Sequence, residues 1–266
     1  MKRALAAILL IAGLAALAML VWRRPESPAV PPVFQSQELP EPCREQNFEG
    51  VGYIVCAIDP HAYDVGLFHD GADGKPFGSV DAFTRVMKAQ GTPVLLAMNA
   101  GMYHRDLSPV GLYVEGGHMT APLNLSDGDG NFFMKPNGVF AVTKTGEALV
   151  MESEAYAAAA RPDVRLATQS GPMLVIDGVI HARFEPNGSS RNVRNGVGVS
   201  ADGKAIFVIA RSPVSFGSFA RLFSDELKCR NALYFDGFIS ALSNGSKLLV
   251  GKIDPAGPIL AVSRKR

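Results

Sequence analysis

The stretch GVGVSADGKAIFVIA, residues 196–210, decides the class of fold. Two short apolar runs, 196–199 and 205–210, flank Asp202-Gly203, a dipeptide that accepts the positive φ of a tight hairpin turn. PMLVIDGVI, residues 172–180, repeats the device around Asp177-Gly178. Runs this short, rich in Val and Ile and closed by turn residues, read as strands rather than helices. Working outward, 52–58, 65–69, 110–115, 138–142, 148–151, 232–235, 247–253 and 258–262 carry the same signal. PVLLAM at 93–98 is apolar without a break, which predicts a central strand covered on both faces. Helical signals are fewer. Ser79 is placed to cap a helix with Val80, Phe83, Val86 and Met87 on one face, stopped by Gly91. Ser153 opens a short Ala-rich segment, and 218–228 carries Phe219, Leu222, Phe223 and Leu227 on one face. The expected class is α+β: an extended mixed β-sheet with a few packed helices, forming a single domain after an N-terminal hydrophobic segment.

That N-terminal segment differs in kind from the rest. Lys2-Arg3 precedes an unbroken apolar run from residue 4 to residue 22, followed by Arg23-Arg24. Its length suits a membrane span at the short end of the range. It equally suits a secretory signal, with Ala16-Leu17-Ala18 as a small-x-small cleavage site. Residues 1–24 are therefore expected to be a signal peptide or a membrane anchor, with contact to the membrane through residues 4–22 if uncleaved. Residues 25–42 are proline-rich and aperiodic, an extended linker, and the folded domain is expected over 43–266. Either reading of the leader sends the domain to a periplasmic or other extracytoplasmic location.

The chain has 266 residues and 26 basic against 25 acidic side chains. Without residues 1–24 the balance becomes 22 basic to 25 acidic, about −3, with the basic residues scattered. This is no footprint for nucleic acid. Of the three cysteines, Cys43 and Cys56 flank a short loop and are expected to pair, leaving Cys229 as a buried thiol. No C-x-x-C, H-E-x-x-H, G-x-S-x-G or G-x-x-x-x-G-K-[ST] is present. Gly196-x-Gly198-x-x-Ala201 matches a dinucleotide fingerprint on paper but runs into a hairpin instead of a helix. DGDGN at 127–131 starts like a calcium loop, yet Phe132 stands where the EF-hand needs Gly and Gly138 where it needs Glu. It reads as a solvated loop, or as a loop serving substrate or a non-EF calcium ion.

Four segments place polar side chains where an apolar run stops, among glycines that admit a ligand. AMNAGMYHRDLSPVGLYVEGG (97–117) offers Asn99, then His104, Arg105 and Asp106. TQSGPMLV (168–175) offers Gln169 and Ser170. RNVRNGVGVS (191–200) offers Arg191 and Arg194, either as anion clamps or as surface ion-pair partners. LYFDGFISALS (233–243) offers Asp236 and Ser240. Taken singly, a structural Asn, an ordinary turn or a plain Asp-Gly hairpin explains each.

Together and in this order, across roughly residues 50–245, the four segments resemble the phosphodiester glycosidase family, which includes the catalytic domain of the uncovering enzyme. Two positions depart from that pattern: Ala100 stands where Gly follows the Asn, and Phe238 replaces the second Gly of D-G-G. The resemblance implies hydrolysis of a sugar-1-phosphodiester in the cell envelope. It implies Asp236 as the catalytic carboxylate, with Glu115, at the end of the next strand, as a second one. Arg194 would hold the phosphate. Asn99 and Gln169 would orient the sugar or the attacking water, with Ser215 and Ser240 as further contacts. Tyr103 and Phe216 would stack on a sugar face. The expected partner is a sugar-phosphate or envelope glycan. Spacing gives no metal ligand set and leaves a divalent cation near Asp236 open. Two rival readings remain: a non-catalytic envelope module that binds a glycan or an anionic polymer, and a phosphodiesterase that cuts the P–O bond.

Overall fold

The computed structural model describes residues 39–159 and 163–265. The apolar segment 4–22 and most of the proline-rich linker lie outside the described residues. Among the described residues, no helix is long and apolar enough to cross a membrane.

The strands form three antiparallel sheets rather than one extended mixed sheet, while the α+β class stands. The first has seven strands in the order Cys43–Phe48, Val51–Ile58, Ala205–Ala210, Asn195–Val199, Asn231–Asp236, Met173–Ile176, Val179–Ile180. The second has five: Leu248–Val250, Leu242–Ser243, Leu96–Asn99, Ile259–Arg264, Tyr63–Phe68. The third has five: His118–Ala121, Tyr113–Glu115, Val164–Ser170, Gly138–Thr143, Ala148–Glu152. Sequence periodicity identifies strands but not partners: hairpins join neighbours such as Cys43–Phe48 and Val51–Ile58, while pairings such as Val51–Ile58 with Ala205–Ala210 bring distant strands together, antiparallel as well. One core is shared by all three sheets. It includes Ile54, Phe207 and Phe235 from the first, Leu96, Met98 and Leu260 from the second, and Phe140 and Leu166 from the third. Phe140 meets Phe207 edge-on at 5.5 Å between ring centroids and Phe235 at 6.3 Å, joining the first and third sheets.

Both hairpins form as their turn residues dictate. Asp177 and Gly178 take φ of 49° and 86°, and the strands on either side pair Ile176 with Val179. The strand read at 93–98 is Leu96–Asn99, paired on both sides and fully buried. The helix Val80–Ala89 begins at Ser79, whose side chain accepts the Ala82 N–H. Two helix readings are corrected. The cap of Ser153–Ala158 is the preceding Glu152, whose carboxylate accepts the N–H groups of Glu154 and Ala155. The segment read as one helix over 218–228 is instead an α-helix, Phe216–Arg221, continued by a π-helical turn, Leu222–Glu226.

Cys43 and Cys56 lie opposite one another in register and form a disulfide. The closed loop stabilises the first strand pair by about 3 kcal/mol in the chain-entropy account. Cys229 is free and buried, and burial pushes its thiol up to about 12. The dinucleotide-like glycines have a packing explanation. A Cβ on Gly196 would lie 2.5 Å from the Leu233 carbonyl oxygen, and one on Gly198 would lie 2.7 Å from Cys229 Sγ. The carbonyl belongs to a paired central strand and cannot yield. Gly196→Ala is therefore expected to cost about 1–3 kcal/mol, read as a lowered urea midpoint. An unchanged midpoint would show that the strands separate freely.

Candidate active site

The site forms where strand ends from two sheets meet. Asn99 ends a strand of the second sheet, and Asp236 ends one of the first. Asp236 is paired with Asn195, next to a register shift between Asn195 and Gly196. Such irregularities re-aim side chains at a strand end. Residues 236–241 then leave the sheet as a loop held at both ends. Asn99 donates to the Ile239 carbonyl at 2.7 Å and accepts the Ala241 N–H at 2.9 Å. Asn195 donates to Asn99 Oδ1 at 3.0 Å and accepts the Asp236 N–H at 3.0 Å. Ser240 Oγ donates to the Asp236 carbonyl at 3.1 Å and lies 3.3 Å from Asn195 Oδ1. Asn99, Asn195 and Ser240 are buried, and their polar groups are spent on the loop.

The loop in turn fixes the carboxylate. Asp236 Oδ1 accepts the N–H groups of Gly237 at 2.6 Å and Phe238 at 2.9 Å, and the Ile239 N–H adds a third backbone bond to the carboxylate. Burial raises the Asp236 pKa above the ordinary carboxylate value, against the lowering effect of the backbone N–H groups and of Arg194. Arg194 lies beneath, fully buried. Its Nε donates to the Val214 carbonyl at 2.9 Å, Nη2 to the Ser190 carbonyl at 2.9 Å, and Nη1 to Tyr234 Oη at 3.2 Å. The guanidinium stacks 3.5 Å above the Phe216 ring, and Phe184 and His181 continue the stack outward. A Cβ on Gly237 would run into the Tyr234 hydroxyl, with Arg194 Nη1 at 3.3 Å, so only glycine lets the loop settle this close over the Tyr234–Arg194 pair.

Above the loop opens a cavity of about 420 Å³, lined in part by Tyr103, His104, Arg105, Asp129, Asp236 and Phe238. Tyr103 Oη donates to the Pro255 carbonyl at 2.6 Å, and burial, with Asp236 and Asp254 nearby, holds the phenol above its usual range. A larger cavity, about 770 Å³, opens beside the C-terminal strand, away from Asp236. Its lining holds neither Asp236 nor the residues that hold it, so the smaller cavity is the functional candidate.

The expected site residues thus divide. Asp236 and Tyr103 line the cavity. Asn99, Arg194 and Ser240 are buried behind them: Asn99 and Ser240 hold the loop by hydrogen bonds, while Arg194 bonds Val214, Ser190 and Tyr234 beneath it. Gln169 is buried behind a neighbouring wall. Its Oε1 accepts the Leu112 and Asn124 N–H groups, and its Nε2 donates to Asn124 O and Ser153 Oγ, which uses the amide completely. Ser215 is the buried cap of Phe216–Arg221, accepting the Ser218 N–H at 3.1 Å. Phe216 is committed to Arg194, not to a sugar. Glu115 does not face the cavity. It accepts the Tyr113 hydroxyl at 2.9 Å in a separate cluster with His69 and Asp70, and burial raises its pKa. The second carboxylate lining the cavity is Asp129, from DGDGN. Sequence reading also missed Asn195 and Tyr234. Asn195 was visible as a polar residue at a strand start, but its partners are 41 and 96 residues away. Among the described residues no three His, Cys, Asp or Glu side chains gather to hold a metal. Asp236 and Asp129 fall short of a three-ligand set.

The three-sheet α+β arrangement that carries this cavity is a fold already seen in solved structures. The chain superposes on the catalytic domain of zebrafish N-acetylglucosamine-1-phosphodiester α-N-acetylglucosaminidase with a TM-score of 0.60 and 15% identity, over 84% of this chain and 82% of that one. A hypothetical protein from Synechocystis gives a TM-score of 0.54 at 14% identity, over 84% of this chain and 61% of that one. At these identities the likeness shows the fold. The family comes from sequence: the phosphodiester glycosidase model matches residues 92–247, and the Escherichia coli K12 protein YigE is 34% identical over 210 residues, 78% of this chain and 80% of that protein. The chain belongs to the phosphodiester glycosidase family.

Proposed function

We propose that this protein hydrolyses a sugar-1-phosphodiester at the glycosidic C–O bond, in the cell envelope. One observation carries the reading: Asp236, in a chain of this family, lines the cavity with its carboxylate fixed by a cradle of backbone N–H groups. Water adds its oxygen to the anomeric carbon as the bond to the phosphate oxygen breaks. The electron pair leaves with the phosphate, and the proton of the water passes to a base. Asp236 supplies the carboxylate that such an oxocarbenium-like transition state requires, as base, nucleophile or stabiliser. A phosphate is a good leaving group without protonation, so a single well-placed carboxylate serves. Arg194, buried below, attracts the ionised form of Asp236 and opposes the cost of its burial. The residues present do not complete a metal site, and no step runs through one.

The Cys43–Cys56 disulfide supports an oxidising compartment, as does the apolar run at residues 4–22. The test is hydrolysis of an α-linked N-acetylglucosamine-1-phosphodiester, the substrate class named for the zebrafish relative, in oxygen-labelled water. Label is expected in the sugar. Label in the phosphate would establish P–O cleavage instead, and binding without turnover would establish the non-catalytic module.

A further inference from the structure

Phe238 is the only aromatic among the large exposed apolar side chains of the described residues, at 93% exposure, and it stands on the cavity rim. Its place is fixed by its own backbone. The Phe238 N–H is bound to Asp236 Oδ1, and Asn99 holds the next residue through its carbonyl. A rigid loop thus carries an apolar ring into water two residues from the carboxylate. Facing the same cavity, Arg105 is exposed and has no ion-pair partner among the described residues. It too sits on a braced loop: the His104 N–H donates to the Ser108 carbonyl, Tyr103 bridges Pro109, and the Val110 N–H donates to the Met102 carbonyl. Arg194, by contrast, is sealed beneath the loop and cannot meet a ligand. The mobile end of a bound phosphodiester therefore finds its cation and its apolar surface at the rim.

We propose that Arg105 and Phe238 form an aglycone subsite: Arg105 holds the phosphate, and Phe238 stacks on a ring, of a sugar or a nucleoside, that the phosphate carries on its far side. The inference rests on the glycosidase reading and deepens it. Ring and guanidinium lie on the rim while Asp236 lies within, so the group meeting them is the leaving half of the substrate. An aromatic platform binds ring faces with little regard to their edge groups. The protein then selects ring-bearing aglycones over small alkyl ones.

The full chain is titrated with a hexose phosphate, a nucleoside monophosphate and methyl phosphate, which represent leaving groups and need no turnover. The ring-bearing phosphates are expected to bind about 10-fold more tightly than methyl phosphate, the size of one stacking contact. Phe238→Ala should erase that preference, Phe238→Trp should keep it, and Arg105→Gln should weaken all three ligands alike. The stronger of the two ring ligands identifies the aglycone as sugar or nucleoside. Equal affinity for all three ligands, or a preference that survives Phe238→Ala, overturns the subsite. Turnover of sugar-1-phosphodiesters without ring preference also defeats the subsite and leaves the glycosidase reading standing. Ring preference without turnover supports the subsite and defeats the glycosidase reading.

Discussion

Asp236→Asn is expected to reduce hydrolysis at least ~10²-fold, the scale for loss of an acid–base group, while leaving the fold as stable as before or more so. The geometry separates the two effects. Asparagine keeps the Oδ1 acceptor that binds the Gly237 and Phe238 N–H groups, so the loop keeps its cradle. What changes is the other atom, from a carboxylate oxygen to an amide nitrogen, which removes the charge and the base. The stability effect follows from the sign of the pKa shift. Asp236 is raised in the folded state, chiefly by burial. Its contribution to stability is therefore complete below the unfolded carboxylate pKa, and is lost as pH rises through the folded value. At neutral pH the ionised side chain is a net cost to the fold, which the amide removes. Thermal midpoints of the variant are expected to equal or exceed those of the parent at neutral pH, with the gap closing on acidification. A variant that folds and hydrolyses at the parental rate would remove Asp236 from the chemistry. The same shift places the acid limb of the parent's pH–rate profile above the ordinary carboxylate range, because activity needs the ionised form.

The separation of loop support from substrate contact was only partly legible in the sequence. Local signals were strong where local physics decides: Asp177-Gly178 turned a hairpin, Ser79 capped a helix, and an unbroken apolar run made a strand paired on both sides. The polar residues at strand ends were also legible as a set, because an Asn, an Arg or an Asp where an apolar run stops requires a reason. Their roles were not. Asn99 and Gln169 look alike in sequence, yet one holds the Asp236 loop and the other braces the wall around Asn124. Partners 45 to 142 residues away decide this, and no spacing encodes them. Glu115 misled for the same reason: a strand end next in sequence proved to face another cluster. Asp129 lies in a loop for which a substrate role is one of several readings, and no local spacing ties it to Asp236 across the cavity.

Arg194 shows how support acts through electrostatics. Replacement by Met removes the charge and every donor, while Lys keeps a charge without the planar fork. Both variants are expected to lose about 2–4 kcal/mol of stability, from the guanidinium donors lost to the Val214 carbonyl, the Ser190 carbonyl and the buried Tyr234 hydroxyl and from lost stacking on Phe216. The pH–rate profile distinguishes them. Arg194 lowers the pKa of Asp236 by charge, in opposition to burial. With Met in its place that opposition is gone, the Asp236 pKa rises further, and the acid limb moves to higher pH. With Lys the charge persists and the limb stays closer to the parent's. A purely structural Arg would lower stability and amplitude in both variants without moving the limb in either. A limb unmoved by Arg194→Met, in protein shown to be folded at the assay temperature, would mean that the guanidinium only braces Val214, Ser190 and Tyr234 and leaves the ionisation of Asp236 to burial and backbone alone.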